Sequence, residues 1–96
     1  MTLFYVSLEF LDIKKMKQFL IDGKSCWLIA KFDICPESCW SIRFQSISQT
    51  DKTHCIAEAC FLNRARAPII SQGNKFSVNY GPLTIAYGEV LCAFCS

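Results

Sequence analysis

The sequence predicts an all-β protein, a small antiparallel barrel or sandwich of six strands, and two observations carry the prediction. Apolar and polar residues alternate along six separate stretches, the mark of strands that bury one face. Gly and Pro stand at corners between them, where an antiparallel chain must turn back. Composition supplies the core, since 52% of the 96 residues are hydrophobic and eight Phe, three Tyr and two Trp bring large blocks of apolar area. No internal repeat, low-complexity tract or linker is present, so residues 1–96 read as a single domain.

Thr2 to Leu11 forms a long first strand, with Phe4, Val6, Leu8 and Phe10 on one face and Ser7 and Glu9 on the other beside Leu3, Tyr5 and Leu11. From Asp12 to Asp22 the pattern changes, because Ile13, Met16, Phe19 and Leu20 lie near helical spacing among Lys14, Lys15, Lys17 and Gln18. One or two helical turns, or an irregular loop ending at Gly23, are expected there. Ser25 to Asp33 is a second strand, with Trp27 and Ile29 opposite Cys26, Leu28, Ala30 and Phe32. Cys35 to Ser38 is turn chemistry, since Pro36 lacks an amide donor and Ser38 bonds readily to nearby backbone.

Cys39 to Ile47 alternates again, placing Trp40, Ile42 and Phe44 inward and Ser41, Arg43 and Gln45 outward. Trp27, Trp40 and Phe44 are all expected in the core. The polar stretch Ser48 to Thr53 closes a hairpin or a crossover, and His54 to Leu62 sets Ile56, Cys60 and Leu62 against Cys55, Ala57, Ala59 and Phe61. A connection from Asn63 to Gly73 carries Arg64, Arg66 and Pro68. Lys75 to Tyr80 then puts Phe76, Val78 and Tyr80 on one side, Gly81 and Pro82 turn the chain, and Leu83 to Phe94 is the last strand.

A net charge of +2 and a charged fraction of 19% do not imply strong electrostatic capture of nucleic acid. Nothing approaches the roughly 18 apolar residues that a spanning helix needs. The first residues, Met1 to Leu11, lack a basic leader segment, and Glu9 and Asp12 interrupt them before any small-residue cleavage site. With an odd count of seven cysteines, this favours a reducing, cytoplasmic compartment in which cysteine serves as a small core hydrophobe.

The second half resembles a known family. Ala57, Glu58, Ala59, Phe61, Leu62, the Ala67-Pro68 step, Gly73, Lys75, Phe76, Gly81, Ala86, Gly88 and Val90 together resemble the C-terminal β-barrel domain (domain III) of elongation factor Tu. The likeness covers Thr53 to Leu91, and reaches the first half only through the apolar strand ending at Phe10 and Leu11. It implies a six-stranded antiparallel β-barrel, elongation factor Tu C-terminal domain-like, with a short helical or loop insertion after the first strand. Gly73 suits a turn of positive φ, and Gly88 allows a bend or a close approach. The family's acidic, Gly-rich loop and its Arg-Pro step are replaced by the Lys-rich stretch Asp12 to Ser25, so tRNA or partner contacts at those positions do not carry over. No Gly-x-x-x-x-Gly-Lys-Ser/Thr motif occurs, so no nucleotide and no GTP hydrolysis are expected. A barrel that serves as a docking surface, standing alone, is what the resemblance implies.

Four groups of residues bear on chemistry. Cys92 and Cys95 are three apart and face opposite sides of a straight strand, so they meet only if the chain turns after Leu91. Cys35 and Cys39 flank a turn and have the better geometrical case for pairing or for a shared metal with His54 as a spare ligand, though the spacing fits no standard zinc site and buried or edge thiols are the plainer reading. His54, the sole histidine, adjoins Cys55, which points to the other face and is no partner for nucleophilic catalysis. Lys14, Lys15 and Lys17, with Arg64 and Arg66, are the basic clusters through which RNA would be held; a solvated surface is their ordinary role.

No catalytic, cofactor-binding or metal residue is therefore assigned, and no membrane or nucleotide partner is expected. The expected function is that of a non-enzymatic binding module docking on a protein partner, as an inhibitor or toxin-immunity protein does. The alternatives are an RNA-binding barrel and a cysteine-based metal or redox protein.

Overall fold

In a computed structural model, which describes residues 3–22, 27–63 and 68–95, the strands close into a six-stranded antiparallel barrel. The elements are β1 (Leu3–Phe10), α1 (Ile13–Asp22), β2 (Leu28–Phe32), β3 (Trp40–Gln49), β4 (His54–Phe61), β5 (Lys75–Tyr80) and β6 (Leu83–Cys95). Around the barrel they run β1-β4-β3-β2-β5-β6, with β6 returning to β1. Closure leaves no unpaired edge to template another chain.

Period-2 alternation fills the interior. Phe4, Val6, Leu8 and Phe10 from β1 meet Leu28, Ala30 and Phe32, then Ile42 and Phe44, then Cys55, Ala57, Ala59 and Phe61, then Phe76 and Val78, and finally Ala86 and Val90. Large and small side chains interlock. Gly88 lies opposite Phe76, and a Cβ at Gly88 would stand 2.2 Å from the Phe76 ring tip, so only glycine admits that ring. Phe76 packs on Phe32 with tilted rings at 4.8 Å between centroids, and Phe32 lies 5.8 Å from Phe61 and 6.1 Å from Trp40.

The insertion after β1 is a helix of 10 residues that closes one end of the barrel. Asp12 caps it: its carboxylate accepts the Lys15 amide at 2.8 Å and holds the Lys15 ammonium at 2.7 Å. Met16 and Phe19 turn inward, and Phe19 packs on Phe10 at 4.8 Å and Phe44 at 5.5 Å. At the opposite end, where β4 stops and β5 begins, Ile70 joins the core, and Gly73, at φ 91°, turns the chain into β5.

Three sequence expectations are corrected. Trp27 is 37% exposed, outside the barrel, where Arg43 lies over its ring at 4.8 Å. A β-bulge between Gln45 and Ser48, with Ser46 at φ 51°, reverses the alternation, so Ile47 packs against the core and Ser46 faces solvent. A second irregularity opposite Val78 and Asn79 leaves Tyr80 exposed, away from the side shared by Phe76 and Val78. There Asn79 is buried instead, accepting from the Thr84 hydroxyl at 2.6 Å and donating to the Ile29 carbonyl at 3.4 Å.

Candidate interaction surface

The barrel interior is packed with side chains, so the residues open to solvent lie on its outside. The inward rows are apolar and the outward rows carry charge, the reverse of a membrane-spanning barrel. No described helix is long and apolar enough to cross a membrane.

His54 is held at the α1 end, at the start of β4. Its Nδ1 lies 3.1 Å from Asp51 Oδ1 and 3.3 Å from the Thr53 hydroxyl, and its Nε2 lies 3.4 Å from Glu9 Oε2. The bond to Asp51, helped by the Glu9 charge, raises the imidazole pKa above its ordinary value of 6.5. Asp51 is correspondingly lowered, first by the Thr53 amide it accepts and then by His54. Carboxylates lie beside both ring nitrogens and stabilise the protonated ring. Cys55, inside the barrel, has its thiol pushed up to about 12 by burial and is inert.

The remaining cysteines separate into two kinds. Cys35, Cys39, Cys55 and Cys60 are free thiols, so Cys35 and Cys39 are not paired. They flank a turn at the end away from α1, whereas His54 is at the α1 end, and the described residues contain no group of three or more His, Cys, Asp or Glu placed to hold a metal ion. Cys92 is disulfide-bonded, with a partner outside the described side chains. The reading of cysteine as a reduced core or edge residue holds at those four positions and is corrected at Cys92. Register shifts between Leu3 and Tyr5 and between Tyr5 and Val6 interrupt the regular pairing of β1 with β6 near Cys92.

Of the basic residues singled out in the sequence, Arg64 and Arg66 lie outside the described residues. Lys15 is committed to Asp12, whose carboxyl it lowers, and Lys14 and Lys17 are exposed on α1.

The strand order reveals a charge pattern invisible along the chain. The neighbouring strands β4, β1 and β6 carry Glu58, Glu9 and Glu89 and no Lys or Arg. The other arc, β3, β2 and β5, carries Arg43, Lys31 and Lys75 and no Asp or Glu. On the acidic arc Glu58 faces Tyr5, Ser7 lies between Ile56 and Glu89, and Glu9 lies between His54 and Tyr87. Tyr5, Ile56, Tyr87 and Leu91 are exposed among these carboxylates. Glu58 and Glu89 make no ion pair among the described residues, although Lys75 stands opposite Glu89 across β5 and β6.

No protein family, curated protein or solved structure matches this chain.

Proposed function

We propose that the protein is a non-enzymatic docking barrel that binds a protein partner through the outer face of β4, β1 and β6. The observation that carries this reading is the presence of exposed Tyr5, Ile56 and Tyr87 on three adjacent strands, in three successive register rows, of a barrel whose interior is filled. Exposed aromatics on adjoining strands give large contact area at low entropic cost, and tyrosine is among the residues enriched at binding hot spots. A rigid, edgeless barrel holds such a face in place before the partner arrives. The likeness to domain III of elongation factor Tu belongs to the same proposal, as does action as an inhibitor or immunity protein. A cytoplasmic home is the less favoured part of it, because the Cys92 bond suits an oxidising compartment.

Capture from the native host with the chain as bait tests the reading. A stoichiometric protein is expected with the native chain and is expected to be lost with the Tyr5→Ser/Tyr87→Ser variant. Absence of any stoichiometric protein overturns it. Recovery of RNA in its place, with affinity falling steeply in salt, would support the RNA alternative.

A further inference from the structure

We propose that the partner presents a basic surface, a Lys/Arg-rich segment with apolar or aromatic side chains, to the β4–β1–β6 arc. This rests on the docking reading above and adds the chemistry of what docks.

Charge complementarity identifies the occupant. Every acidic residue within a strand lies on this arc, as Glu9, Glu58 and Glu89, and Asp51 extends the same sign past the start of β4. No Lys or Arg of these three strands offsets them. Glu9 is shared with His54, Glu89 stands across from Lys75 in the β5–β6 register without a close ion pair, and Glu58, opposite Gln45 and Tyr5, has no cationic partner among the described residues. The Glu58 carboxylate beside Tyr5 and Ile56 matches a guanidinium, which pairs with carboxylate in a planar fork and stacks on an aromatic face, and Glu89 beside Tyr87 adds charge of the same sign. An acidic partner would meet net repulsion from Glu9, Glu58 and Glu89, softened by His54 and by Lys75 at the edge, so the arc favours one class over the other. Lys31 and Lys75, on the far arc, bound the surface at Ser77, the residue that faces both Lys31 and Tyr87.

The test is amide chemical-shift mapping of the isotopically labelled protein with a synthetic peptide of Arg and Tyr spaced by Gly. Two control peptides replace Arg by Glu or Tyr by Ala. Shifts centred on Tyr5, Ser7, Ile56, Glu58, Tyr87 and Glu89 are expected with the basic aromatic peptide, with weaker binding of the Ala control and none of the Glu control. Glu58→Gln/Glu89→Gln, both at surface positions that the fold does not use, is expected to weaken binding roughly 3- to 10-fold and flatten its salt dependence, the range for rim charges. Lys31→Gln/Lys75→Gln is expected to bind at least as well as the native chain. Shifts centred on α1 or on Lys31 and Lys75, undiminished affinity in the Glu variant, or salt-sensitive self-association without peptide would each overturn the proposal. A host protein captured equally by native chain and Glu variant, yet lost with Tyr5→Ser/Tyr87→Ser, overturns the basic-partner inference while leaving the docking reading intact.

Discussion

The two arcs of the barrel are alike inside and opposite outside. Inward, β4–β1–β6 contributes Phe61, Phe4 and Val90 while β3–β2–β5 contributes Phe44, Phe32 and Phe76, and the rings interlock across the divide. Outward, one arc presents three glutamates beside exposed tyrosines, and the other presents Arg43, Lys31 and Lys75. Packing constrains the interior of both arcs equally, so the difference outside is free to serve recognition. It follows that interior substitutions should cost stability whichever arc they fall in, whereas exterior substitutions should change binding on one arc only.

The largest expected effect tests the shared interior. Phe32→Ala removes a ring that touches Phe61, Phe76 and Trp40, and should cost about 3–5 kcal/mol in equilibrium denaturation. A loss below about 1 kcal/mol would mean that the two arcs are not joined through this ring. Gly88→Ala comes next, at about 1–3 kcal/mol, because its Cβ meets the Phe76 ring. Adding Phe76→Leu should recover part of that loss, since the two effects share one space; strict additivity would contradict the contact.

Thiol chemistry gives a sharper count. One bridge through Cys92 consumes two of the seven cysteines, leaving 7 − 2 = 5 to be alkylated in denaturant without reductant. Mass spectrometry showing seven labels would refute the bridge.

Smallest is the pH dependence at the α1 end. His54, raised above 6.5 by Asp51 and Glu9, adds stability that is fully present below pH 6.5 and is lost as pH rises through its folded value. Asp12 and Asp51, lowered below 3.8, add stability that is present above pH 3.8 and lost as pH falls through their folded values. All three groups are solvent-exposed, so the slopes should be shallow. His54→Gln should remove the neutral-pH slope and leave the acid one; a slope that persists in the variant would locate the titration elsewhere.

Strand placement and inward rows were legible in the sequence because a two-residue period leaves a direct trace in side-chain polarity. Asp12, ahead of the apolar spacing Met16, Phe19 and Leu20, was a readable cap for a helix of nearly three turns, longer than the one or two turns expected. Trp27 was legible too, since the alternation that buries Leu28, Ala30 and Phe32 puts it outside; aromatic character argued wrongly for the core. The bulges were not, because one inserted residue reverses parity and Ser46 carries no glycine to signal its left-handed backbone. Nor was the acidic arc visible, because Glu9, Glu58 and Glu89 are far apart in the chain and become neighbours only through the order β4-β1-β6.

Side-chain oxidation footprinting of the protein, free and with its captured partner, tests the docking face most directly. Tyr5, Ile56 and Tyr87 should lose reactivity in the complex while Trp27, exposed beside the basic arc, keeps it. Protection of Trp27 with Tyr5 and Tyr87 unchanged would contradict the assignment and move recognition to the other half of the barrel.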